Sequence, residues 1–196
     1  MKLIGITSEN CGISEAKRVV DALDAGFSYI HVRKPSFSDA EMVDYLQSIP
    51  PKYYNRLTLG SNFALINDFP LGGIHIKQNV EVEYTNRLRI SCSCHTIEEV
   101  TSRSKYFDYV FLSPIFNSIS KCGYNSNFSE HSLMEYAKKG LLNKAVALGG
   151  IDANNIAQLS KYGFHGAAIL GYLFADINEQ EFTNRLKIIV SKNINI

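Results

Sequence analysis

The chain has 196 residues, a formal net charge of +1, 45% apolar residues and 20% charged residues. That length gives one domain with room for a sizeable core, and the composition is that of a globular chain, not a disordered one. Near-neutral charge argues against a nucleic-acid or polybasic membrane binder, and no apolar run reaches the roughly 18 residues that would span a bilayer. The opening MKLIGITSENCG has too short an apolar stretch for a signal peptide. Four cysteines, Cys11, Cys92, Cys94 and Cys122, are too few and scattered for a disulfide framework. The expectation is a single cytoplasmic domain over 1–196.

Short β-rich segments alternate with helical patterns. Lys2–Thr7 reads as a strand, and Ser14 opens SEAKRVVDALDAGF, a helix with Val19, Val20, Leu23 and Phe27 on one side and Gly26 near its end. After the strand Tyr29–Lys34, Ser38 with Glu41 three residues on forms a capping box for the next helix. Arg56–Ser61 and Gly73–Gln78 read as the third and fourth strands. The spacer Asn79–Leu88 has poor helical periodicity, so the helix after the fourth strand is the one expected to be missing. Arg89–Cys94 is the fifth strand, and Thr96 with Glu99 repeats the capping pattern. Tyr109–Pro114, Ala145–Gly150 and Gly166–Gly171 are the remaining strands. Asp152 opens a helix ending at Gly163, and Glu179–Ser191 forms the last one.

Eight strands alternating with helices fit a (β/α)8 TIM barrel or an open doubly wound sheet. The count of eight favours the barrel. So does the collection of polar residues at many strand ends, since barrel enzymes build their sites at the C-terminal ends of the strands. At just under the usual minimum of about 200 residues, the barrel must be compact, with one or more short or missing helices.

Several strand ends carry groups suited to anions. His31, Arg33 and Lys34 end the second strand; a guanidinium offers phosphate a planar fork and an ammonium a point charge. The alternative is a solvated basic end paired with Asp39 or Glu41. Ser61 ends the third strand, and Ser93 and His95 end the fifth. Ser118, Ser120 and Lys121 follow the sixth and supply two hydroxyls and a cation, although serine is also an ordinary loop residue. Gly149–Gly150 and Leu170–Gly171 end the last two strands, where glycine lets the backbone approach a ligand and barrels often hold a phosphate. Tight turns need glycine too. Cys92-x-Cys94 lacks the spacing and second ligand pair of a zinc site, so buried cysteines are expected. His75 reads more readily as a core or rim histidine than as a ligand.

The ordered set IHVRKP, GIHIKQ, SCHT, DYVFLSPIFNSISK, ALGGI and GFHGAAILGYL resembles the thiamine phosphate synthase family, which includes the thiazole tautomerase. The resemblance runs from about Lys2 to Leu173. It implies a (β/α)8 barrel that joins hydroxymethylpyrimidine diphosphate to a thiazole phosphate, releasing pyrophosphate. It further implies that His31, Arg33 and Lys34 hold the diphosphate, with Ser93, Ser118, Ser120 and Lys121 on the pyrophosphate. The thiazole phosphate would sit at Gly150 and Leu170–Gly171, next to Gly149. Arg33, Ser93 and Lys121 would be the catalytic group, with Ser61 and His95 beside them.

The family uses Mg2+, held by carboxylates after the third and fourth strands. The corresponding positions here read Gly60–Ser61 and Asn79–Val80, so no metal ligand is assigned. Asn67–Asp68 lies only seven residues before His75, which places it inside the crossover to the fourth strand. Glu81, Glu83 or Asp68 could compensate. Two other functions therefore stay open: a non-catalytic binder of thiamine phosphate or a similar phosphate ligand, and a tautomerase. The tautomerase needs a histidine where this chain has Pro114. Partners are expected to be small phosphates and diphosphates, with a homodimer left open.

Overall fold

The computed structural model describes residues 1–10, 14–76, 88–117 and 128–194. Eight parallel strands close into one barrel in chain order: β1 (Lys2–Ile6), β2 (Tyr29–Val32), β3 (Leu57–Leu59), β4 (Gly73–Ile76), β5 (Arg89–Cys94), β6 (Tyr109–Leu112), β7 (Ala145–Ala147) and β8 (Gly166–Ile169). Closure is direct: β1 pairs with both β2 and β8. The doubly wound alternative is thereby excluded. β1, β2, β3, β6, β7 and β8 end earlier than expected, because the residues after them leave the ladder to form the rim, while β5 ends at Cys94 as expected.

The outer layer is α1 (Ser14–Asp24), α2 (Asp39–Gln47), α3 (Ile97–Arg103), α4 (Glu130–Lys138), α5 (Gly171–Phe174) and α6 (Glu179–Ile194), with 3-10 helices at Pro51–Arg56, Phe63–Asn67 and Ile156–Tyr162. The capping box at Ser38 forms: its hydroxyl accepts from the Glu41 N–H while Glu41 accepts from the Ser38 N–H. At α3 the Thr96 hydroxyl accepts from the Glu99 N–H, but Glu99 turns to the His95 N–H instead. The helix expected from Asp152 is corrected to a 3-10 segment that begins only at Ile156. Asp152 and Asn155 spend their side chains on the intervening turn, accepting from the Asn154 and Asp152 N–H groups. Asn67 ends the 3-10 crossover between β3 and β4, and Asp68 caps it. The spacer after β4 lies almost wholly outside the described residues.

The core has two parts. Helices cover the outward strand face, where Leu3, Ile30, Val32, Leu59, Ile74, Cys92, Cys94, Leu112 and Ile169 are buried. The barrel interior holds Ile4, Ile6, Tyr109, Phe111, Val146 and Ala168. Side chains alternate along each strand, so one register decides both sets.

One buried ion pair ties the first two β/α units together. Lys34 is fully buried, and its Nζ donates to Glu15 Oε2 at 2.6 Å and to the Ser8 carbonyl oxygen at 2.6 Å. Glu15, also buried, accepts from the Ser8 N–H at 2.8 Å and from the Tyr45 hydroxyl at 3.1 Å. The Lys34 ammonium lies 5.0 Å from the Tyr45 ring centroid. Both charges are thus paired and hydrogen-bonded, which burial of an ion demands. Lys34→Ala leaves Glu15 buried without its counter-ion and should lower unfolding free energy by about 3–5 kcal/mol. Urea denaturation at pH 7 measures this; a loss below about 1 kcal/mol would show that Glu15 is resolvated.

Candidate active site

In a parallel barrel all C-terminal strand ends point the same way, so one rim carries the residues that follow β1 to β8. Arg33 follows β2. Its N–H donates to Thr7 Oγ1 at 2.9 Å, and its exposed guanidinium forms an ion pair with Glu9 in the loop after β1. Ser61 follows β3, its hydroxyl reaching the Lys34 carbonyl oxygen and Asn62 Oδ1. Ser93 sits on the inward face of β5. His95 follows that strand, exposed, with Nδ1 3.1 Å from the Ser113 carbonyl oxygen.

Gly149 and Gly150 follow β7 with φ of +97° and +64°, a region that favours glycine. A Cβ on Gly150 would stand 2.4 Å from the Asn117 carbonyl oxygen, and one on Gly149 2.9 Å from Pro114. These glycines are required because the β6 and β7 ends pack backbone against backbone. The pairing is drawn tight by the Ile115 N–H on the Leu148 oxygen and the Phe116 N–H on the Gly149 oxygen. Leu170 and Gly171 turn from β8 into α5. Arg33, Ser61, Ser93, His95, Gly149, Gly150, Leu170 and Gly171 therefore share one mouth. Ser118, Ser120 and Lys121 lie outside the described residues; Asn117, just before them, sits against Gly150.

Two expected ligand contacts are corrected. Lys34 is no rim cation; it faces away from the mouth, into the pair with Glu15. His31 is buried in the barrel interior, its Nε2 2.7 Å from the Tyr109 hydroxyl, and does not reach the rim. The physical reason is strand alternation. Arg33 follows the inward face of His31, and Lys34 the outward face of Val32. The expected partners of the basic end, Asp39 and Glu41, are likewise replaced by Glu9 and Glu15.

Beneath the mouth the barrel is polar on one side. His75 lies between Ser91 and Ser93, with Nδ1 3.0 Å from Ser91 Oγ and Nε2 3.1 Å from Ser93 Oγ. The His31 ring is 4.8 Å and the His75 ring 5.2 Å from Phe111. Burial pushes His75 down to about 4 and His31 well below the usual imidazole value, so both rings are neutral near pH 7. Burial also raises the Tyr109 phenol to about 12. The link between His75 and Ser93 is not legible from either strand alone. Its signal was the alternation of His75 in IHI opposite Ser91 and Ser93 in SCS, visible only once β4 and β5 are known to pair.

Residues 3–173 match the family described as thiamine monophosphate synthase. The chain belongs to that family. It is 23% identical to the thiamine-phosphate synthase of Bacillus mycoides, over 95% of this chain and 91% of that one. Against the Listeria monocytogenes (serotype 4b, strain F2365) enzyme of the same name, identity is 26% over 76% of this chain and 77% of the relative. The crystal structure of thiamine phosphate pyrophosphorylase from Bacteroides thetaiotaomicron superposes with a TM-score of 0.87 at 30% identity, covering 99% of this chain and 98% of that one. Members of the thiamine monophosphate synthase family so named are transferases, and the expected fold and family are both borne out.

The neutral histidines carry a pH signature. A histidine whose folded pKa lies below its unfolded value binds fewer protons folded than unfolded. Stability is then full above about pH 6.5 and falls as pH drops toward the folded pKa, by up to about 1.4 kcal/mol per pH unit per histidine. Hydrogen bonds hold Glu41 and Glu99 below the usual carboxylate range, away from this window, whereas His165, also lowered by burial, adds to the slope in the same direction. Unfolding free energies measured from pH 6.5 to 5 should slope downward, and His75→Gln should flatten that slope. Equal slopes in both proteins would place a proton on the folded His75 ring.

Proposed function

We propose that this chain is a thiamine-phosphate synthase that joins hydroxymethylpyrimidine diphosphate to thiazole phosphate and releases pyrophosphate. The observation that carries the reading is the single mouth shared by Arg33, Ser93, the Gly149–Gly150 turn and the Leu170–Gly171 turn, in the order of the family motifs. In the reaction the carbon–oxygen bond to the diphosphate breaks, with its electron pair leaving on pyrophosphate. The thiazole nitrogen then forms the new bond to the pyrimidine methylene carbon. The step needs donors for a departing anion more than a general base.

Arg33, Ser93 and Lys121 are assigned to the pyrophosphate, with Ser118 and Ser120 beside Lys121. The backbone at Gly150 and Leu170–Gly171 is assigned to the thiazole phosphate. Arg33 exchanges Glu9 for the diphosphate when substrate arrives, a low-cost exchange because the pair is half-exposed. The neutral His31 and His75 below the mouth add no positive charge against the cation that develops on the pyrimidine.

Mg2+ is the family's cofactor, and the described residues do not supply its site. They hold no cluster of three metal-ligating side chains. The acidic groups near Arg33 and Ser61 are engaged: Glu9 pairs with Arg33, and Asp39 accepts from Asn62 at 2.7 Å. The same observation supports the second reading, a phosphate-ligand binder without turnover. The tautomerase reading has less support, since Pro114 is buried against Gly149 and His95 is bonded to the Ser113 carbonyl oxygen.

Incubation with both substrates, with and without Mg2+, should release one pyrophosphate per thiamine phosphate formed. Thiamine phosphate binding by calorimetry that is indifferent to Mg2+, together with no turnover at high enzyme concentration, would favour the binder. Lys121→Ala should weaken diphosphate binding by about 1.5–3 kcal/mol, the worth of a charged hydrogen bond. An unchanged affinity would show that Lys121 points elsewhere.

A further inference from the structure

His75 bridges two hydroxyls of the neighbouring strand. β4 and β5 pair in parallel with His75 opposite Ser91, and the two-residue period puts Ser93 one step nearer the mouth. Both ring nitrogens are within hydrogen-bond reach of a serine oxygen. Burial keeps the ring neutral, so it offers one N–H and one lone pair. A Ser–His–Ser chain of this kind can run in only two directions.

In the first direction Ser93 donates to Nε2 and the Nδ1–H donates to Ser91. The Ser91 proton then goes to the Ile74 carbonyl oxygen, 3.4 Å away. Ser93 has spent its only proton, and its lone pairs are what remain for the mouth. In the second direction the Ser91 hydroxyl donates to Nδ1 and the Nε2–H donates to Ser93, whose proton is then free for the mouth. An anion requires the second arrangement, and hydrogen bonds aligned head to tail strengthen one another.

We infer that His75 is a positioning residue that sets the direction of the Ser91–His75–Ser93 chain: Nδ1–H at rest, and Nε2–H when a phosphate group occupies the mouth, so that Ser93 becomes a donor to the anion. This rests on the proposed function only in placing the phosphate beside Ser93. The chain keeps its proton count: the ring exchanges its Nδ1 proton for one at Nε2 through solvent, the two hydrogen bonds to His75 reverse, and the bond from Ser91 to the Ile74 oxygen is given up for one from Ser93 to the anion. A glutamine in place of His75 can donate its amide N–H to Ser93 and accept from Ser91 at Oε1 in one fixed arrangement, but it has no tautomer to switch, which separates positioning from simple packing.

The experiment uses the intact protein with 15N-labelled histidine, titrated with inorganic pyrophosphate and MgCl2. Phosphorus NMR of the same samples reports binding. The expected result is a change of the His75 tautomer from Nδ1–H to Nε2–H as the phosphorus signal shifts. A ring that keeps one tautomer, or becomes doubly protonated, while pyrophosphate binds overturns the relay alone. Pyrophosphate that does not bind at millimolar concentration overturns the anion site at the mouth and the relay with it.

Turnover supplies a second arm. His75→Ala should lower kcat about 5- to 10-fold in the wild-type background, the scale of one lost hydrogen bond, and less than about 2-fold in Ser93→Ala. His75→Gln should recover part of the loss. Equal losses in the two backgrounds would mean that His75 acts through packing, and the proposal fails.

Discussion

Closure of eight parallel strands into a ring is the constraint on which everything else in this protein depends. A parallel ladder cannot turn back within a hairpin, so every strand must be followed by a crossover on the outside of the barrel. All C-terminal strand ends consequently meet at one rim. Residues as distant in the chain as Arg33, Ser93 and Gly171 become neighbours of one opening. The same geometry divides each strand into a face toward the helices and a face toward the axis. The outward face is almost wholly apolar, while the inward face is apolar near β1, β7 and β8 and polar across β2 to β5.

That asymmetry has an electrostatic consequence. A barrel interior is a poor place for charge, and the two imidazoles enclosed here stay neutral and hydrogen-bonded. His31 leans on Tyr109, and His75 lies between Ser91 and Ser93. Two charge pairs near the C-terminal strand ends lie in different settings. At the rim Arg33 and Glu9 are half-exposed and free to exchange partners. Behind the rim Lys34 and Glu15 are buried and cannot exchange without unfolding the first β/α units. Two adjacent basic residues thus have unrelated jobs, one available to a ligand and the other committed to the scaffold.

The chain belongs to the thiamine monophosphate synthase family, and the barrel mouth is where we propose its chemistry occurs. The family match runs over residues 3–173, and the structural likeness covers nearly the whole chain. The described residues bring hydroxyls, backbone groups and the Arg33 guanidinium to that rim and hold no cluster of three metal-ligating side chains. On the proposed function, a mouth of that composition would stabilise a leaving pyrophosphate through donors, and the quality of each donor then matters more.

Local patterns determined much of this protein. Apolar strand runs, the Ser38–Glu41 capping box and the Thr96 cap mark the elements, and eight repeats of strand and crossover point to the barrel because short-range propensity and period survive in a single chain. The ordered motifs also brought Arg33, Ser93 and the paired glycines to attention. Tertiary structure alone decided which way each of those side chains faces. His31 goes inside, Lys34 goes behind and His75 goes under Ser93, since the face a strand residue occupies depends on register against its neighbours. Glu15 and Glu9 were invisible as partners for the same reason: 19 residues separate Glu15 from Lys34 along the chain, and only the folded barrel closes that distance to 2.6 Å.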